Sequence, residues 1–124
     1  MKKVLILFIL LFVLVGCDKD RATYVSISTS KAIEMMETET DYVILDVRTE
    51  VEYQSGHIKG AINYPNENIK EEMLDILSDK DQLIFVYCRS GNRSKQASQK
   101  MADIGYTNIV EIGGINFWPF DLEY

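Results

Sequence analysis

Hydrophobic residues fall into three regimes along the chain. Val4 to Val15 form an unbroken apolar run, preceded by Lys2 and Lys3. Twelve residues rise about 18 Å as a helix, short of the roughly 30 Å hydrocarbon core of a bilayer. A charged start before so short a run is the layout of an export signal, not of a stop-transfer helix. Residues 1–16 are therefore set apart as a signal segment. Residues 17–24 are mostly polar, show no apolar period, and read as Cys17 followed by a tether; the seven residues after Cys17 reach at most about 25 Å. Residues 25–124 form the third regime, in which short apolar runs alternate with segments of helical spacing. That alternation predicts one α/β domain.

Within this domain Tyr24–Ile27 predicts a first strand. Ser28 or Ser30 can cap a helix carrying Ala32, Ile33, Met35 and Met36. Tyr42–Leu45 is a nearly continuous apolar run, as expected of a strand covered on both faces. Thr49 with Glu52 is a capping-box pair, starting a short helix that stops before Gly56. Ala61–Tyr64 reads as a third strand closed by Pro65, and Asn66 starts a helix with Ile69, Met73, Ile76 and Leu77 as its inner stripe. Leu83–Tyr87 is the strongest strand. Cys88–Arg93 is a polar loop containing a glycine, and Ser94–Ile104 is a helix ended by Gly105. Asn108–Ile112 is the fifth strand; Gly113-Gly114 turns the chain, and Ile115 to Leu122 closes it with Trp118. Five strands with helices between them predict a small parallel, doubly wound sheet, whose sites lie at the carboxyl ends of its strands.

Charge narrows the partners. The 124 residues carry 13 Lys+Arg against 19 Asp+Glu, a net charge of −6. Removing residues 1–16 takes away two lysines and no acid, so the remainder stands at −8. Such a surface lacks the cations that displace counterions from phosphates, so no nucleic-acid partner is expected. Two cysteines make neither a disulfide-dense scaffold nor a structural zinc site. No His/Cys/Asp/Glu group has metal spacing and no glycine-rich nucleotide fingerprint is present, so no metal and no cofactor is expected. The Met35-Met36 pair reads as helix packing.

The candidate chemistry lies where the strongest strand ends. Cys88 is followed by Arg89-Ser90-Gly91-Asn92-Arg93-Ser94 and then a helix. Successive backbone N–H groups around a glycine turn, together with a helix N-terminus, make an anion cradle. A thiol in that cradle, with two arginines nearby, loses its proton readily and becomes a nucleophile without a histidine base. The alternative is a buried, inert cysteine at a strand end, which does not require this polar loop. His57, the only histidine, lies far along the chain from Cys88 and reads as a polar turn residue satisfying nearby backbone, with a general base as the alternative. Asp46 and Arg48 follow the second strand at the same end of the sheet. They can pair with each other or support the loop, with substrate contact as the alternative reading.

Two resemblances sharpen this picture. Leu14-Val15-Gly16-Cys17 resembles the lipobox of bacterial lipoprotein signals. That implies cleavage before Cys17, a diacylglycerol thioether on it, and an exported protein anchored through lipid to a membrane of the cell envelope. Two or three acyl chains anchor stably where one is marginal. The loop Cys88–Ser94 resembles the active-site loop of the single-domain rhodaneses. Leu45-Asp46-Val47-Arg48 with Glu52, Gly56-His57-Ile58-Lys59-Gly60-Ala61-Ile62-Asn63, and Gly113-Gly114-Ile115 with Trp118 match the same family in order, over about residues 25–120. The resemblance implies a three-layer fold with a five-stranded parallel sheet ordered 1-5-4-2-3. It implies a sulfurtransferase in which Cys88 takes sulfane sulfur from thiosulfate or a related donor and passes it to a thiol or cyanide. By the same analogy the backbone N–H groups of residues 89–93 hold the persulfide, Arg93 stabilises the loop or an anionic donor, Arg89 lies near the mouth, and His57 is structural. Rhodanese-like phosphatases and arsenate reductases resemble C-x5-R, whereas Cys88 to Arg93 is C-x4-R, a tighter cradle suited to one sulfur atom. A binding or sulfur-carrier module with little thiosulfate turnover is the competing reading. A thiol redox role has no resolving cysteine to work with. The tail Trp118-Pro119-Phe120 departs from the family pattern and predicts a short final helix with a more open wall beside the site.

Overall fold

The computed structural model describes residues 22–124; the signal segment, Cys17 and the start of the tether lie outside them. The described chain contains β1 (Val25–Ser26), α1 (Thr29–Thr38), β2 (Tyr42–Asp46), α2 (Glu50–Gln54), β3 (His57–Ile58), β4 (Ile62–Asn63), β5 (Leu83–Cys88), α3 (Asn92–Ile104), β6 (Ile109–Gly114) and β7 (Leu122–Glu123). Five strands form one parallel sheet in the order β1-β6-β5-β2-β4. Numbered among themselves, these strands run 1-5-4-2-3, as expected. β3 and β7 form a separate antiparallel pair.

The sheet owes its position to β5. Its side chains alternate between two cores, because successive residues of a strand point to opposite faces. Ile84, Val86 and Cys88 join Leu45, Val47, Met73, Ala97 and Met101 on the α3 side. Phe85 and Tyr87 join Ala32, Ile44, Ile58, Val110 and Ile112 on the α1 side. The segment from Ile84 to Cys88 is buried throughout, so the strand that carries the candidate nucleophile is also the spine of the fold. Its pairing with β6 shifts register between Val86 and Cys88, placing Cys88 opposite Gly114.

Helix boundaries follow local chemistry where capping residues were legible. Ser28 caps α1 by accepting from the Lys31 N–H at 3.2 Å. The Thr49–Glu52 capping box forms with both of its reciprocal bonds. Gly105, at φ 118°, ends α3 in the left-handed conformation that glycine adopts without a Cβ penalty.

Three expectations are corrected. The helix expected from Asn66 is two short 3₁₀ turns, Asn66–Asn68 and Glu71–Asp75, separated by an extended Lys70. Contacts with α3 dictate that shape: Lys100 donates to the backbone oxygen and to Oδ1 of Asn66, and Asn66 donates to Gln96. The Tyr106 hydroxyl takes the carbonyl of Leu77 at the far end. Ile69 and Met73 are buried as expected, but Ile76 is 63% exposed. Second, α3 begins at Asn92, so Asn92 and Arg93 belong to its first turn and not to the loop. Third, the tail forms only a 3₁₀ turn at Ile115–Phe117 before Leu122 and Glu123 return to pair with Ile58 and His57.

Candidate active site

Cys88 ends β5 with its side chain directed to the α3 side of the sheet, and the loop folds back over it. The residue is only 1% exposed, as an inert strand-end cysteine would be. Its surroundings are nevertheless those of an anion site. The Gly91 N–H donates to Sγ at 3.0 Å, and the Ser94 hydroxyl oxygen lies 3.4 Å from it. Burial pushes the thiol pKa up, but hydrogen bonds from the Ser94 hydroxyl and from the N–H groups of Ser94, Gly91 and Ser90 outweigh it, leaving the pKa below the usual thiol value. The N-cap position of α3 is Gly91, with no side chain capping the helix. The sulfur occupies the place an N-terminal anion would take.

Two glycines make this loop geometry available. Gly91 has φ 121°, which a residue with a Cβ rarely adopts. Gly114 has an ordinary backbone, but a Cβ there would lie 1.9 Å from the Arg89 carbonyl oxygen and 2.6 Å from the Ser90 nitrogen. The loop therefore rests directly on the β6 backbone, and the Arg89 carbonyl accepts from the Asn116 N–H at 3.3 Å. Turning that carbonyl toward Asn116 leaves the amides that follow it free to face the sulfur.

Arg89 of the loop and Arg93 of the first turn of α3 are tied to one carboxylate. Arg93 makes a two-pronged pair with Glu52, Nη1 to Oε1 at 2.6 Å and Nη2 to Oε2 at 3.0 Å. Arg89 reaches Oε2 of the same residue at 3.2 Å. Arg93, assisted by Thr49 and Arg89, holds the Glu52 carboxyl far below its ordinary range, despite partial burial. Glu52 is also the capping-box residue of α2, so one side chain caps a helix and braces the loop. Its sequence signal was the capping box; its reach to residues 89 and 93 was not visible along the chain.

Asp46 and Arg48 form a closed unit beside the site. Arg48 Nη2 pairs with Asp46 Oδ2 at 2.7 Å, its Nε and backbone N–H donate to Oδ1, and Nη2 also reaches the Gly56 carbonyl at 2.7 Å. The Tyr87 hydroxyl donates to Asp46 at 2.8 Å and accepts from the Ile58 N–H at 3.1 Å. Burial, followed by the Asp46 charge, pushes the Tyr87 pKa far above its ordinary value, so the hydroxyl stays a donor. Their mutual pairing, and not contact with the loop amides, accounts for these residues. His57 is 5% exposed, stacks on Tyr53 with ring centroids 3.7 Å apart, and shares hydrogen bonds with the Tyr53 carbonyl and Glu123. Its partners are those of a structural residue.

Ser94 has a neighbour that no local pattern along the chain marks. Its Oγ lies 2.6 Å from Oε2 of Glu111, a carboxylate on β6 that is 1% exposed. In sequence Glu111 sits between Val110 and Ile112 and resembles an outward-facing position of a half-covered strand.

These features bring the Cys88 loop, the Glu52 brace, the Asp46–Arg48 unit and Gly113-Gly114, which end strand β6 where the sequence pattern predicts a turn, to one end of a parallel sheet ordered 1-5-4-2-3. The family described as Rhodanese-like domain matches residues 28–119. The chain belongs to the rhodanese-like domain family. Among its relatives, the thiosulfate sulfurtransferase PspE of Escherichia coli (strain K12) is 38% identical over 71 residues, covering 57% of this chain and 68% of that protein. The adenylyltransferase and sulfurtransferase UBA4 of Meyerozyma guilliermondii is 36% identical over 93 residues. That match covers 68% of this chain but only 22% of the much longer relative. A solved structure described as rhodanese with anions from E. coli superposes with a TM-score of 0.61 at 33% identity, covering 66% of this chain and 96% of that one.

Proposed function

We propose that the protein is a sulfurtransferase that carries sulfane sulfur as a persulfide on Cys88. The observation that carries the reading is the Cys88 sulfur seated against the Gly91 N–H and Ser94 at the start of α3, with a lowered thiol pKa. The Cys88 thiolate attacks the outer sulfur of thiosulfate or a related donor. A sulfur–sulfur bond to Cys88 forms as the donor's own bond to that sulfur breaks, and the remainder of the donor, sulfite in the case of thiosulfate, leaves with the electron pair. A thiolate or cyanide acceptor then attacks the outer sulfur and releases the Cys88 thiolate, a double displacement with ping-pong kinetics. The N–H groups of residues 89–93 cradle the persulfide anion, Arg93 and Arg89 raise the local positive potential, and Asn92 lies on the first turn of the helix. The similarity to PspE, a thiosulfate sulfurtransferase by name, supports thiosulfate as donor.

The test is intact-mass analysis after thiosulfate treatment. The wild type gains about 32 Da, one sulfur, and Cys88→Ser gains nothing. Sulfur transfer to cyanide falls more than about 10³-fold in the same variant. A wild type without adduct overturns the reading. The near-complete burial of Cys88 favours a second reading, a sulfur carrier loaded by a dedicated protein partner. Slow thiosulfate turnover together with fast loading from a protein persulfide would select it.

Anchoring is part of the proposal. The lipobox resemblance at Leu14–Cys17 supports a location in a bacterial cell envelope, with acyl chains on Cys17 as the tether. Labelled palmitate incorporated by the wild type and not by Cys17→Ser supports it; a wild type that stays unlabelled and leaves the membrane fraction overturns it.

A further inference from the structure

Glu111 has no part in the chemistry above, yet one hydroxyl joins it to the nucleophile. Its Oε1 accepts from the Ser26 hydroxyl of β1 at 2.5 Å. Its Oε2 accepts from the Gly113 N–H at 2.7 Å and lies 2.6 Å from Ser94 Oγ. On the other side, Ser94 Oγ stands 3.4 Å from Cys88 Sγ. Ser94 thus bridges the two acids, and a serine hydroxyl has a single hydrogen to give.

That hydrogen is contested. Two oxygens 2.6 Å apart need a hydrogen on the line between them. With Glu111 as the carboxylate, the Ser94 hydrogen fills the line, and the Cys88 thiol donates its own hydrogen to Ser94 Oγ. With Cys88 as the thiolate, the Ser94 hydrogen turns to the sulfur, and the line is filled from the carboxyl side. The Gly91 and Gly113 carbonyls, at 2.9 and 3.4 Å from Ser94 Oγ, are other acceptors for that hydrogen. A hydroxyl turned to either one again leaves the Glu111 line to be filled by a carboxyl proton. The two arrangements contain the same number of protons and differ only in which acid is ionised.

We infer that Glu111 is the proton acceptor for the Cys88 thiol, acting through Ser94 as a positioning residue of the site. The Cys88 S–H bond breaks with its electron pair left on sulfur, and the proton passes to Ser94 Oγ. The Ser94 O–H bond breaks as its hydrogen passes to Glu111 Oε2. The products are a thiolate and a neutral carboxyl group, with no oxidation or reduction. The inference rests on Cys88 being the sulfur-carrying nucleophile for its use in catalysis; the ionisation itself needs no sulfur donor.

Other charges face this pair. Arg93 comes from α3 and interacts electrostatically with both Cys88 and Asp46. Arg89 comes from the loop, Glu52 from α2, and Asp46 with Arg48 from the end of β2. β1 brings the Ser26 hydroxyl. Arg93 and Arg89 favour the thiolate in either arrangement and so shift the balance, but they cannot exchange a proton with it near neutrality.

A shared proton leaves a signature that an isolated thiol cannot. Iodoacetamide modification of Cys88 in the full chain, followed by the mass of its peptide, is measured from about pH 4.5 to 9. The wild type is expected to give two steps separated by a plateau, because transfer to Glu111 supplies thiolate independently of solution pH. Glu111→Gln keeps the shape of the side chain but cannot take the proton. Its rate is expected to fall about tenfold per pH unit below one titration, with no plateau. Ser94→Ala, which removes the bridge and leaves the carboxylate, is expected to lose the plateau as well. A wild-type curve that coincides with the single tenfold-per-unit titration of a folded Glu111→Gln protein overturns the inference, and so does a plateau that survives in that variant. The outcomes separate the two readings. A plateau lost in Glu111→Gln without a thiosulfate adduct refutes the sulfurtransferase and keeps the proton path; an adduct with wild-type and Glu111→Gln curves that coincide does the reverse.

Discussion

Asp46 and Glu111 are both closed off from solvent, at 0% and 1% exposure, yet they are neutralised by opposite means. Asp46 meets a guanidinium: Arg48 donates to both of its oxygens, and Tyr87 adds a hydroxyl. Glu111 meets two serine hydroxyls and one backbone N–H, and among the described residues no cation lies within ion-pair distance of it. A buried carboxylate beside a cation has its charge fixed, because losing the charge would strand the cation. A buried carboxylate held by hydroxyls and a backbone N–H, with no cation beside it, can exchange a proton with its neighbours. The first kind builds a scaffold and the second kind can take part in chemistry.

The largest expected effect breaks the first of these. Asp46→Asn leaves Arg48 buried without its partner and is expected to cost about 3–5 kcal/mol of stability in urea unfolding,. Glu111→Gln strands no cation and rearranges hydrogen bonds only, so its expected cost is about 1–2 kcal/mol in the same measurement. Equal losses would show that the two carboxylates do the same work.

Arg93→Ala is the next step down. Removing its positive charge raises the Cys88 pKa and slows alkylation near neutral pH, by about 3- to 10-fold if the shift is half a unit to one unit. An unchanged rate would mean that Arg93, occupied by Glu52, only braces the loop.

The smallest effect concerns Glu52, whose carboxyl is 18% exposed. Its pKa is lower in the folded state than its ordinary value of 4.5, so the folded protein binds fewer protons there than the unfolded chain. The contribution is present above about pH 4.5 and drains away as the pH falls through the carboxyl's folded titration. Glu52→Gln is expected to flatten the acid side of the stability–pH curve, at a cost of about 1 kcal/mol or less at neutral pH, as for other partly exposed pairs. A wild-type curve already flat on its acid side would remove Glu52 from the brace.

The parts of this protein that could be read along the chain are those fixed by near neighbours. Leu83–Tyr87 is apolar enough to be a central strand in any α/β arrangement, and Cys88–Ser94 contains its own glycine, arginines and helix start. The Asp46–Arg48 pair spans two positions, and the Thr49–Glu52 box three, within reach of local geometry. Where partners are distant, the pattern fails. Residues 66–77 have helical spacing, but Lys100 and Tyr106 take up the backbone oxygens of Asn66 and Leu77 and draw the segment into 3₁₀ turns. β7 exists only because Leu122 returns to Ile58, far back along the chain. Glu111 depends on Ser26, 85 positions away, and on Ser94, 17 away.

Periodicity and the loop's composition thus carried the fold class and pointed to Cys88 as the candidate nucleophile, since both rest on residues within a turn or a strand of one another. Tertiary packing alone brought together the hydrogen-bonding and charged groups around that cysteine. A polar side chain in a strand covered on both faces takes its meaning from whatever packs against it, and Glu111 receives one hydroxyl from the neighbouring strand β1 and one from α3.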